Sequence, residues 1–364
     1  MSHALITDSD SLPRLCERWQ QSRFLAVDTE FVRVDTYYPK LCLIQVRDEQ
    51  QTSLIDPLAL PDLTPVLDVL YEPGRIKVFH APGQDLEILA RLRSTCPAPL
   101  FDTQIAATLL GLGDQIGYAG LIERRIGIVL DKSLSRTDWS RRPLRDAELA
   151  YAAADVDHLA EIYPALEHAL AERGRLSWLA EDCARLCEPD QYVTHAEDAW
   201  KRLKGLARLS VREQMVAVAL ATWREQQAQT RDRPRKWILD DDPLYRIAQR
   251  QPQTLEQLEQ LSVLPPKTLG RFGSALCEIV AQALAGPERE YARDEEPDAA
   301  QKALLKKLQA RIQSIAAELG LPASFLAPRA ELMRLVRDGA DADANVLRGW
   351  RRDVCADALL QCLP

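Results

Sequence analysis

Five side chains in this sequence have types and spacings suited to acting together. Asp28 and Glu30 lie two apart in FLAVDTEF (24–31), Asp85 follows IKVFH (76–80) after the turn APGQ, and Tyr151 and Asp155 lie four apart in ELAYAAADVDHLAEIY. Strand alternation puts Asp28 and Glu30 on one face and Thr29 on the other. Acids within an apolar strand are costly unless they are paired or bind metal. The interval of four stacks Tyr151 and Asp155 on one helix face. Each residue also has an ordinary reading by itself: solvated acids at a strand end, a helix-start acid favoured by the dipole at Asp85, a core tyrosine and a surface acid. Four acids with no clustered histidine or cysteine suit hard divalent cations that take oxygen ligands, Mg²⁺ or Mn²⁺.

The elements that must position these residues are legible in the hydrophobic pattern. Strands are predicted at 24–31, 41–46, 52–56 and 76–80, with the first three close enough for a meander, and helices at 84–93, 103–112, 118–126 and 144–171. This is the pattern of an α/β domain with a mixed sheet, and Asp85 falls near a strand's carboxyl end, where such sheets place their sites. Beyond Asp190 the strand signal stops. Ser210 and Thr254 are predicted N-caps, PPKTLGRFGSALCEIVAQAL a further helix, and the charged, proline-bearing stretch after Ala285 a linker. The resulting divisions are 1–195 for the α/β domain, 196–288 for a first helical domain, 289–302 for a linker and 303–364 for a second helical domain.

Composition narrows the function classes. The chain has 364 residues, 46% hydrophobic and 27% charged, with no apolar run long enough to span a membrane. Asp8 and Asp10 stand where a signal peptide needs its apolar core, so a cytoplasmic protein is expected. Eight scattered cysteines without a Cys-x-x-Cys pair argue against a disulfide framework and a zinc ribbon. Residues 1–195 hold 30 acids against 20 bases, net −10, whereas 196–364 hold 24 acids against 26 bases, net +2. Carboxylates that hold cations invert the local sign, so an acidic front half is compatible with a polyanionic substrate.

In order and local sequence, the D-x-E strand, the Asp85 turn and Y-x-x-x-D resemble the three motifs of the DEDD superfamily of 3′-to-5′ exonucleases, with Tyr151 marking the DEDDy branch. VDTEFVR, FDTQIA (101–106), DKSLSRTDWSRRPL (131–144) and YAAADV (151–156) resemble the ribonuclease D family over nearly all of residues 1–175. The stretch SVREQMVAVALATWREQQAQTRDRPRKWILDDDPLYRIAQRQPQTLEQLEQL resembles the HRDC domain, a small helical module found in ribonuclease D and certain helicases. RAELMRLV and VLRGWRRDVCADAL look like parts of a second such module.

The resemblance implies a ribonuclease H-like exonuclease domain followed by two all-α HRDC-like domains. It implies a 3′–5′ exoribonuclease that releases nucleoside 5′-monophosphates and matures tRNA precursors and other small structured RNAs. A DNA-directed exonuclease and a non-catalytic RNA-binding adaptor are the alternatives. By the family pattern Asp28, Glu30, Asp85 and Asp155 hold two divalent cations, with Asp28 bridging, and Tyr151 orients the attacking water. Two such ions about 4 Å apart generate a nucleophile and neutralise the departing oxygen. RNA is the expected partner, with no membrane and no required protein, and the chain is expected to be monomeric. Lys132 and Arg136 are expected to grip phosphates and Trp139 to stack on a base. Arg233, Arg235 and Lys236 form a further expected RNA patch, partly cancelled by Asp240, Asp241 and Asp242. His80 is read as a structural strand-end histidine and Asp102 as a helix N-cap.

Overall fold

The computed structural model describes residues 3–131, 133–134, 137–292 and 297–364. The chain divides into two compact units. The first comprises Met1–Val32, Leu41–Tyr192 and Pro297–Pro364, and the second Arg33–Lys40 and Val193–Glu296.

The first unit is built on a six-stranded sheet of β1 (His3–Ile6), β2 (Phe24–Val32), β3 (Lys40–Arg47), β4 (Thr52–Ile55), β5 (Ile76–Phe79) and β6 (Leu100–Asp102), in the order β1-β4-β3-β2-β5-β6. The sheet is mixed: β1 and β4, β2 and β5, and β5 and β6 pair in parallel, whereas β3 and β4 are antiparallel. Leu25, Ala26 and Val27 of β2 are fully buried, as a strand flanked on both sides requires. The four strands read from hydrophobic pattern are present; β1 and β6 are additions. With four and three residues, both are too short to show alternation, and β6 follows Pro97 and Pro99.

Among the described residues, seven α-helices accompany this sheet: α1 (Leu12–Gln21), α2 (Thr64–Tyr71), α3 (Gly83–Arg93), α4 (Thr103–Leu109), α5 (Tyr118–Ile126), α6 (Asp146–Glu172) and α7 (Leu176–Leu186). Helix α6 packs on β2, β4 and β5 and buries Ala152, Val156, Leu159 and Leu166. Its start is fixed by Glu148, a fully buried carboxylate that accepts the Arg145 backbone N–H at 2.7 Å and pairs with Arg141 at 2.8 Å.

The second unit contains α8 (Val211–Arg231), α9 (Arg235–Ile238), α10 (Asp241–Arg250), α11 (Leu255–Gln260) and α12 (Pro266–Ala285), around a core that includes Val216, Leu220, Ile247, Leu258, Leu276 and Val280. Ser210 and Glu213 form a capping box on α8, and the Thr254 side chain caps α11, as the sequence predicts. Tyr37 joins the same core.

The C-terminal helices α13 (Ala299–Leu319), α14 (Ala323–Leu326) and α15 (Arg329–Asp338), with the helical turns of 349–360, share the core of the first unit. Trp350 stacks on Trp178 of α7 with ring centroids 4.4 Å apart. Buried Asp182 on α7 accepts the Trp350 indole N–H at 3.2 Å and two guanidinium bonds from Arg351 at 2.5 and 3.1 Å.

Candidate active site

Strand β2, helix α3 and helix α6 bring their acids to one place. Alternation along β2 directs Asp28 and Glu30 to the face on which α6 packs, and carboxylate oxygens of Asp28, Glu30 and Asp155 all lie within 4.8 Å of one another. Asp85 stands in the first turn of α3, directly beyond the carboxyl end of β5, and is only 8% exposed. Its Oδ1 accepts the Thr29 hydroxyl at 2.5 Å, so the alternate residue of the D-x-E strand anchors the second acidic segment.

Electrostatically this is a strained assembly of like charges. Burial first, then repulsion from Asp85, Asp155 and Glu30, pushes Asp28 far above the usual carboxylate range. Burial, with Asp155 and Asp85 adding to it, raises Glu30 to about 8. Burial also raises Asp155 and Asp85, against the lowering effects of hydrogen bonds from Tyr151 and Thr29. Among the described residues, no cationic side chain contributes to any of these four shifts. Added positive charge would stabilise such a set as full carboxylates, and its donors are all oxygen, so the residues fit hard divalent cations.

Tyr151 lies one turn from Asp155, and burial together with the adjacent acids raises its phenol far above 10. It is therefore a proton donor at neutral pH. Tyr118 supports the same helix, its hydroxyl donating to the carbonyls of Asp155 at 2.5 Å and Ala154 at 3.2 Å. Asp102 is the N-cap of α4, accepting from the backbone N–H groups of Gln104 at 2.8 Å and Ala81 at 2.9 Å, and burial raises it to about 6. His80 bonds Thr103 Oγ1 at 2.9 Å, and burial lowers it to about 4, which keeps it neutral.

The expected RNA-contact residues fare differently. Lys132 and Arg136 lie outside the described residues. Stacking by Trp139 is corrected: the side chain is 2% exposed and packs with Cys42, Leu43, Leu144 and Ala152, its ring 6.2 Å from that of Tyr151. An indole enclosed on both faces has no surface for a base; Trp139 backs Tyr151. Arg235 is also corrected, because its guanidinium is committed to Glu225 at 2.7 Å and to the Tyr37 hydroxyl at 2.9 Å. Arg233 and Lys236 are exposed.

Comparison with known proteins decides the family. Residues 4–171 match the 3′-5′ exonuclease family model and residues 213–280 the HRDC domain. The ribonuclease D of Zymomonas mobilis subsp. mobilis is 40% identical over 368 residues, covering 97% of this chain and 92% of that one. The ribonuclease D of Pseudomonas paraeruginosa is 37% identical, with 98% and 96% covered. The chain belongs to the ribonuclease D family. Like its relatives in that family, it is a 3′–5′ exoribonuclease with a ribonuclease H-like exonuclease domain and a helical HRDC region. The crystal structure of Escherichia coli RNase D, an exoribonuclease involved in structured RNA processing, superposes with a TM-score of 0.90 at 32% identity, covering 100% of this chain and 98% of that one. The exonuclease fold implies divalent-metal binding, and an acidic cluster is present.

Two supporting residues escaped the sequence reading. Thr29 was assigned to the face opposite the acids, but a hydroxyl inside a buried strand needs a partner, and Asp85 is that partner. Tyr118 gave no signal, since its bonds go to backbone carbonyls 36 and 37 residues away.

Proposed function

We propose that this ribonuclease D family member matures the 3′ ends of tRNA precursors and other small structured RNAs by removing one nucleoside 5′-monophosphate at a time. Water adds to the phosphorus of the last phosphodiester, and the 3′ oxygen of the preceding nucleotide leaves and takes a proton. Asp28, Glu30, Asp85 and Asp155 hold two divalent cations, Mg²⁺ or Mn²⁺. When bound, these supply charge neutralisation at the phosphate and a water of lowered pKa. The four carboxylates bring the negative field that retains such ions, and Thr29 holds Asp85 in place. Tyr151, kept protonated by burial and by its acidic surroundings, orients the attacking water through its hydroxyl and does not act as the base. Arg233 and Lys236 contribute phosphate contacts in the helical module.

The observation that carries the reading is the convergence of three half-buried carboxylates within 4.8 Å, with Asp85 beside them and no cationic partner among the described residues. The test uses RNA labelled at its 5′ end. A ladder shortening stepwise from the 3′ end, present with Mg²⁺ or Mn²⁺ and absent in chelator, is expected. Metal-independent cleavage, or the 5′-terminal nucleotide appearing as the first product, would overturn it.

A further inference from the structure

Trp237 on α9 is the most exposed aromatic side chain among the described residues, at 52%, whereas Trp19 and Trp139 are almost wholly enclosed. An indole left open on a polar surface gains little for the fold and is a common anchor for binding. Its surroundings are cationic. The Arg233 guanidinium carbon lies 5.9 Å from the ring centroid, and Arg233 is itself held by the Asp35 carbonyl at 2.9 Å and the Asp35 carboxylate at 3.5 Å. Neighbouring Lys236 is exposed and makes no ion pair among the described residues. Arg231, at the end of α8, is also exposed.

The acids that follow in sequence are occupied elsewhere. Asp240 caps α10, Asp241 pairs with Arg224 at 2.6 Å, and Asp242 pairs with Arg246 at 3.1 Å. The cancellation expected from sequence is thereby reduced to local pairs. What remains is an open π-face with one cation over it and a free ammonium beside it. This combination suits a base and its phosphate in a single strand better than a paired helix, whose bases show no free face.

We infer that Trp237, with Arg233 and Lys236, is a stacking platform for a base of single-stranded RNA. The inference rests on the exoribonuclease reading above and assigns the stacking role to Trp237 in place of Trp139. Arg233 extends the stacked surface, and Lys236 neutralises a phosphate.

The test measures fluorescence anisotropy of a labelled single-stranded RNA bound to the full chain carrying Asp28→Asn, so that the probe is not consumed. Adding Trp237→Ala should weaken binding by roughly 5- to 100-fold, the range for loss of one stacked base, while leaving the slope of log affinity against log salt unchanged. Trp237→Phe, which keeps a ring and tests the role without the larger truncation, should recover most of the affinity. Lys236→Ala should reduce the salt slope by about one. Wild-type affinity in Trp237→Ala would overturn the inference, as would equal losses in Trp237→Ala and Trp237→Phe. If the Asp28→Asn parent still hydrolysed the probe, the catalytic reading would fail, while the binding comparison would be made with a 3′-blocked, non-hydrolysable RNA.

Discussion

Both units bury carboxylates, yet they treat them in opposite ways. In the helical unit Glu225 is 1% exposed, but Arg235 bonds it, the Tyr37 hydroxyl donates to it, and Arg202 lies 3.5 Å away. Burial would raise its pKa, and the hydrogen bonds from Arg235 and Tyr37 outweigh that, so Glu225 is held below its usual range. In the α/β unit four acids lie together with no cationic neighbour among the described residues, and all four are raised. A buried acid matched by the chain's own cation is a structural joint. A cluster left unmatched by the described residues is a site suited to counter-charge from bound cations.

Breaking the comparison at its functional end gives the largest effects. Asp28→Asn or Asp155→Asn keeps the shape but deletes one metal-binding charge, and single-turnover hydrolysis should fall by about 10³-fold or more. The same replacements relieve repulsion, so the melting temperature of the metal-free protein should rise by a few degrees. Tyr151→Phe leaves the four acids intact and removes the orienting hydroxyl, so kcat should fall by roughly 10²-fold with little change in KM.

At the structural end the sign reverses. Glu225→Ala strands Arg235 and Tyr37 and should cost about 3 kcal/mol in urea unfolding, without the rise in melting temperature expected of Asp28→Asn. The titrations separate the regions as well. Glu30 is raised to about 8 when folded, so its contribution to metal-free stability is full below an unfolded value of about 4.3 and is lost as pH rises to about 8. Glu225, being lowered, contributes above its unfolded value and loses that contribution as pH falls through its folded one. In chelator, the melting temperature of Glu30→Gln should therefore decline less than that of the wild type between pH 5 and pH 8. This is the smallest of the four effects.

The catalytic half was readable because its signals are local. Period two in FLAVDTEF, period four between Tyr151 and Asp155, and the strand-turn-helix around Asp85 each lie within a few residues, and tertiary packing only had to bring them together. What the sequence hid depends on distant partners. Trp139 looked like a loop aromatic beside basic residues, but Cys42, Leu43 and Leu144 enclose it. Arg235 looked like part of a basic patch, and only the fold reveals Glu225 and Tyr37 at its guanidinium. Residues 33–40 lie directly after β2 in sequence yet belong to the helical unit, where Asp232 accepts the backbone N–H groups of both Tyr37 and Tyr38 at 3.0 Å. No periodicity announces a bond across almost 200 residues.

The central claim is that the unmatched acids are a cation site, and calorimetric titration of Mn²⁺ into the metal-free wild-type chain and into metal-free Asp28→Asn tests it most directly. Binding of two ions per wild-type chain is expected, with the heat sharply reduced and at least one ion lost in the variant. Equal stoichiometry and affinity in the two proteins, or no binding by the wild type in the absence of RNA or its presence, would contradict it.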